Sequence, residues 1–215
     1  MVTILIVGDK MNLDIPIGFG KRLVIGVSIT VKEVEVMGKI TNAREAEKRA
    51  AELYDEHFNA TDAIFKGRFA TDLPTILQKL GIKIVIRSLK DYEGLVAKPN
   101  VSGYLWKNGN EFAIFLEEKD SLERKRFTIA HEIAHKVLNH IDDNKHVSIF
   151  FRDEFSAKGV NAEEIAANAF AATLLMPEKI IRHVYTLTSD VAMTARYLGV
   201  SDTAARIRLD NLGIL

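Results

Sequence analysis

Two periods of apolar spacing alternate along the chain, and the switches between them mark its elements. Val2–Val7 is a short apolar run rich in β-branched residues, closed by Gly8 and Asp9 and followed by Pro16, Gly18 and Gly20. Two more β-like runs follow, LVIGVSITV from Leu23 and VEVM from Val34, where Val34 and Val36 alternate with Glu33 and Glu35 as in a half-exposed strand. Residues 1–40 therefore read as a small β meander, with packing or self-association as its expected role. The period then lengthens. Asn42 and Glu45 have capping-box spacing, and Ala46, Ala50, Leu53, Tyr54 and His57 recur at helical intervals, predicting a helix over Ala43–Phe58. Residues 61–69 read as a loop or short helix, and Leu73–Leu80 as a helix stopped by Gly81. Ile82–Ile86, Gly94–Ala97, Gly103–Lys107 and Glu111–Leu116 read as strands. Asn108-Gly109 supplies a hairpin turn whose two positions must accept positive φ.

The second half is helical. Residues 120–140 carry Leu122, Ile129, Ile133, Val137 and Leu138 near one helical face, with Asp120 and Glu123 as a capping box. Residues 141–160 read as a polar loop with an apolar centre at Val147–Phe151. The Ala-rich stretch Asn161–Met176 is a strong helix former that ends at Pro177. A helix over Glu178–Leu187 and two short ones around Leu198-Gly199-Val200-Ser201 close the chain. The pattern predicts an α+β fold with a mainly helical core and a small, mostly antiparallel sheet. Its divisions are an N-terminal β extension (1–40), a central domain (41–187) and a C-terminal helix-turn-helix-like segment (188–215).

Composition narrows the setting. The 215 residues are 47% hydrophobic and 27% charged, ordinary for a chain that buries a core. Lys+Arg and Asp+Glu both number 29, so no overall electrostatic grip on nucleic acid or anionic lipid is expected. With no cysteine, disulfides and thiolate metal sites are excluded. The N-terminal apolar run lacks a basic segment before it and is too short to span a bilayer, so the expectation is a cytoplasmic protein without membrane attachment.

The chemistry concentrates in His131-Glu132-Ile133-Ala134-His135, an H-E-x-x-H pentad. Positions i and i+4 share a helix face, so both imidazoles can bind one metal ion with Glu132 beside them as a candidate base. Such a pentad also arises by chance on solvated helices, so its context matters. A catalytic zinc takes three protein ligands and keeps one open position. The continuation H-x-x-G-x-x-H is absent, because residues 138 and 141 are Leu138 and Ile141. His140, if helical, falls half a turn out of phase and faces away. His57, His146 and His183 are isolated. Glu164 on the next long helix is the better third ligand, with Asn168 one turn on able to orient a ligating histidine. Asn161–Glu164 is itself a capping-box spacing, and Glu163 competes for the ligand role. A zinc ion so held would acidify water and polarise a carbonyl, with Glu132 moving the proton, which points to amide hydrolysis. Tyr185, His183 and Arg182 are candidates to stabilise the transition state, although no spacing selects among them. A strand edge such as Gly103–Lys107 could hold an extended substrate.

Phe127-Thr128-Ile129-Ala130-His131-Glu132-Ile133-Ala134-His135, followed by Glu164-x-x-Ala167-Asn168-x-Phe170-Ala171-x-x-Leu174-Leu175-Met176-Pro177, resembles the ImmA/IrrE family of metallopeptidases over roughly residues 42–210. The resemblance implies a zincin-like fold and one zinc ion on His131, His135 and Glu164. It also implies Glu132 as the base and Asn168 in support. Family members are bacterial or phage-encoded cytoplasmic proteins. Many cleave a helix-turn-helix repressor, which induces stress-response or mobile-element genes. Residues 1–40 match nothing expected of the family core and could gate the site or mediate dimers. The tail from Ala192 to Leu209 is helix-turn-helix-like, but residues 189–215 hold three Arg and three Asp. Phosphate contacts dominate DNA affinity, so packing or partner docking is the preferred role and strong DNA binding is not expected. The competing reading is a non-catalytic, zinc-containing regulator or toxin-antitoxin component acting by protein or DNA binding.

Overall fold

The computed structural model describes the backbone of residues 3–7, 10–16, 22–28 and 147–151, and both backbone and side chains of 38–89, 101–141 and 162–215. The sequence expectations at Val34–Met37, Gly94–Ala97, His146 and Asn161 lie outside the described residues. The chain divides into two compact units, Met1–Met37 and Gly38–Leu215.

The first unit is a three-stranded antiparallel sheet of β1 (Thr3–Val7), β2 (Lys10–Pro16) and β3 (Arg22–Ser28), in that order. Strand β2 is a correction to the sequence reading, which took Gly8 to Gly20 as punctuation. Lys10, Asn12 and Asp14 alternate with Met11, Leu13 and Ile15, a period of two hidden by its polar half. Pro16 stands at the strand end, where its missing N–H costs least.

The second unit is α+β. Its elements run α1 (Ala43–His57), α2 (Ala60–Phe65), α3 (Leu73–Leu80), β4 (Ile82–Arg87), β5 (Val101–Asn108), β6 (Glu111–Glu117), α4 (Leu122–Val137), β7 (Val147–Phe151), α5 (Ala162–Leu175), α6 (Glu178–Thr188), α7 (Val191–Leu198) and α8 (Asp202–Asn211). The helix ends follow local chemistry. Asn42 accepts hydrogen bonds from the Arg44 and Glu45 N–H groups, and Gly81 ends α3 in the left-handed conformation. Helix α4 is capped by Ser121, whose hydroxyl accepts from the Arg124 N–H at 3.2 Å, rather than by Asp120.

Sheet order is β4-β6-β5-β7, with β4 parallel to β6 and the other two pairs antiparallel. The β5–β6 hairpin pairs Asn108 with Glu111, so its turn residues are Gly109 and Asn110, one place later than expected, and only Gly109 has positive φ. Strand β7 lies where the sequence suggested a loop. It leaves β5 paired on both sides, so the expectation that Gly103–Lys107 offers a free edge fails.

Helix α5 is the centre of the helical layer. Ala166, Ala167, Phe170, Ala171 and Leu174 are all fully buried, as are Ala46 and Ala50 of α1 and Ala130, Ile133 and Ala134 of α4. Small residues at these positions let α1 and α4 pack closely on α5. Burial on more than one side also explains why α5 has no clean apolar stripe. Helix α4 packs on the sheet at Gly103. A Cβ there would meet the Phe115 carbonyl oxygen and Thr128 Cγ2, both at 2.6 Å, so only glycine permits the approach. Leu122, assigned from its spacing to the buried face of α4, is instead 70% exposed. Among the described residues, no helix is long and apolar enough to cross a membrane.

Candidate metal centre

Pressed between β5 and α5, helix α4 buries seven of its residues: Thr128, Ala130, His131, Glu132, Ile133, Ala134 and His135. The helical repeat sets His131 and His135 one turn apart on the side that faces α5. Helix α5 presents Glu164 to them. His131 Nε2 and His135 Nε2 are 2.9 Å apart, and they lie 3.1 Å and 3.4 Å from the two Glu164 oxygens. Tetrahedral ligands about 2.0–2.1 Å from one zinc ion would be roughly 3.3–3.4 Å from each other. The three side chains therefore converge at close to the spacing one cation requires, and together could hold a metal ion.

The ring nitrogens pointing away from this focus are also accounted for. Asn168 Oδ1 lies 3.0 Å from His131 Nδ1 and accepts its hydrogen, which leaves the Nε2 lone pair directed at the centre. His135 Nδ1 lies 3.1 Å from Nδ1 of His140, which corrects the expectation that His140 faces away. That expectation assumed a continuing helix. In fact α4 ends at Val137, Asn139 turns left-handed at φ 59°, and the chain folds back. The His140 N–H donates to the His135 carbonyl at 2.9 Å and the Asn139 N–H to the Lys136 carbonyl at 3.3 Å, a Schellman closure with asparagine where glycine is usual. Asn139, just beyond the apolar period, was the available signal.

Burial dominates the electrostatics. Glu132 is fully buried. The Leu105 backbone of β5 lies near enough to favour its charge slightly, but among the described residues neither carboxylate oxygen has a partner at hydrogen-bond distance. Desolvation pushes its pKa up to about 8. Burial also drives His131 down to about 4, so it stays neutral and ready to ligate at neutral pH. For His135, burial is outweighed by Glu164 and Glu132, and its pKa is raised. Burial would likewise raise Glu164, yet the two imidazoles pull it well below the usual carboxylate range. An ion pair shared between a histidine and a carboxylate is what such a donor set adopts when a proton stands in for a metal. Loading would then release that proton. A fully buried carboxylate without a partner is costly alone and is relieved by a nearby cation, so the residues present fit a divalent metal.

The remaining candidates make contacts of their own. His183 packs its ring 6.0 Å from Phe69, and Tyr185 packs on the hydrophobic core. Arg182 pairs with Glu178 at 2.7 Å and reaches the Leu212 carbonyl at 2.9 Å. His57 at the end of α1 lies edge-on to Phe58. Glu163 forms an ion pair with Lys39 at 3.0 Å, while its neighbour Glu164 points to the histidines. In the tail, α7 and α8 join through Gly199 at φ 66°. Arg208 of α8 is buried against Glu47 and the Met176 carbonyl, so the exposed charges of α8 are Asp202, Arg206 and Asp210.

No curated protein matches the chain. Among solved structures, a Mycobacterium tuberculosis transcriptional regulator is similar at 16% identity and a TM-score of 0.46; the match covers 78% of this chain and 46% of that protein. This chain thus corresponds to less than half the length of that relative. The family profile described as the IrrE N-terminal-like domain, Peptidase M78, matches residues 77–210, a span that includes the pentad, Glu164, α7 and all but the last residue of α8. The chain belongs to this IrrE-like family of metallopeptidase domains.

Proposed function

We propose that the protein is a zinc-dependent endopeptidase that cuts a specific bond in a helix-turn-helix repressor in the cytoplasm and so releases the genes that repressor silences. The observation that carries the hydrolytic reading is the convergence of His131, His135 and Glu164 beside a buried Glu132 that has no hydrogen-bond partner among the described residues. The repressor as substrate rests on the family resemblance, and zinc rests on the two-histidine, one-carboxylate donor set.

In this reading His131, His135 and Glu164 hold the ion, which when bound supplies a Lewis acid for the carbonyl and lowers the pKa of water. Glu132 accepts the proton of the attacking water and delivers it to the departing amine. An extended substrate would pair along β7, which among the described residues is the outer strand next to β5 in the sheet that packs against α4. Two acids and one arginine on the exposed part of α8 favour protein contact over phosphate contact for the tail.

The test is to incubate the zinc-loaded protein with a helix-turn-helix repressor encoded beside its gene and to map products by mass spectrometry. A single cut is expected. The Glu132→Ala variant should keep its zinc and lose cleavage by several orders of magnitude. Cleavage at the wild-type rate by that variant would overturn the assignment of the base.

A further inference from the structure

Beyond the three ligating side chains lies a hydrogen-bond chain that ends on the main chain before α1. His140 is 6% exposed. Its Nε2 is 2.6 Å from the Ile40 carbonyl oxygen, an acceptor only, so Nε2 must carry a hydrogen and donate it. The Nδ1 of neutral His140 is then an acceptor, and the atom 3.1 Å away is Nδ1 of His135. His135 must donate from Nδ1, so that once the proton standing in for the metal is released its Nε2 lone pair faces His131 and Glu164. The Ile40 carbonyl is itself fixed, because the Ile40 N–H donates to the Leu138 carbonyl at 3.0 Å. The adjacent Lys39 pairs with Glu163, next to the third ligand. Segment 38–41 thus fastens to the ends of both helices that bear ligands.

We propose that His140, seated on the Ile40 carbonyl, is a positioning residue for the metal centre: it fixes the tautomer and ring orientation of His135. Asn168 does the same for His131, and each ligating histidine is thereby held from behind by its own acceptor. His140 is not a fourth ligand, because it meets the nitrogen of His135 on the far side of the ring from the metal. This inference rests on reading His131, His135 and Glu164 as a metal site.

The experiment compares the full-length wild type with His140→Leu and His140→Asn. Leucine removes the acceptor, whereas the asparagine carboxamide oxygen takes the place of Nδ1. Zinc affinity is measured by chelator competition, and the His135 tautomer by 15N-detected imidazole NMR on the metal-free proteins at alkaline pH, where the proton that stands in for the metal has left the ring, with circular dichroism confirming the fold. Leucine should weaken zinc binding on the order of 10- to 100-fold and erase the preference for the Nδ1–H tautomer. Asparagine should recover most of both. Wild-type affinity in a folded His140→Leu protein, or an asparagine variant no better than leucine, overturns the proposal. A wild type that takes up no zinc overturns the metal reading itself, a separate result, and the tautomer measurement then decides the His140–His135 relay alone.

Discussion

Replacing Glu132 with glutamine should make the metal-free protein more stable while removing its activity. The side chain is fully buried, and its carboxylate has no hydrogen-bond partner among the described residues. Its pKa rises from an ordinary 4.5 to about 8 on folding. A carboxyl group whose folded pKa is raised binds more protons folded than unfolded, so its contribution to stability falls as pH climbs from 4.5 to about 8. At pH 7 the ionisation forgone amounts to about 3 kcal/mol, an upper value because the site can relax. His135 adds a slope of the same sign, since its raised pKa contributes stability that is lost as pH rises through it. His131, depressed to about 4, contributes the opposite slope between about 4 and its ordinary value of 6.5. The difference between wild type and Glu132→Gln therefore isolates the carboxylate better than either profile alone. Urea unfolding of chelator-treated proteins at pH 5, 6, 7 and 8 reads it directly. The glutamine variant should gain little near pH 5 and most above pH 7, and saturating zinc should shrink the gap by giving the carboxylate a counter-charge. Parallel pH profiles for the two proteins would refute the claim that burial holds this group in its protonated form.

Gly103→Ala should cost about 1–3 kcal/mol by forcing a Cβ into the Phe115 carbonyl and Thr128. Because Thr128 lies one turn before His131, zinc affinity should fall with stability; an unchanged melting temperature would contradict the close approach of α4 to β5. Arg126→Ala removes hydrogen bonds to the Gly199 and Thr71 carbonyls, each at 3.0 Å, and should cost about 1.5–3 kcal/mol. Its signature is faster amide exchange across the α7–Gly199–α8 turn, and wild-type protection there would show that the arginine does not anchor it.

What could be read beforehand was local. The caps at Asn42 and Gly81, the helical bounds of α3 and α6, and the i, i+4 placement of His131 and His135 all follow from short-range rules. The Glu164 partnership came from matching two sequence blocks, because no local rule brings α5 to α4; alanine packing does. Three features resisted. Strand β2 hides its period behind alternating polar residues, and β7 stands isolated between polar stretches with its partner far away in sequence. His140 was misplaced because a helical wheel extrapolates through a terminus. One left-handed residue, Asn139, redirected its side chain onto a ligand.

Elemental analysis of bound metal on purified wild type and Glu164→Ala tests the central claim most directly. The account predicts about one zinc per wild-type chain, lost or greatly weakened in the variant, because two imidazoles alone leave the site short of a ligand. No metal in the wild type after zinc is supplied, or equal metal in both proteins, would contradict a centre built from His131, His135 and Glu164.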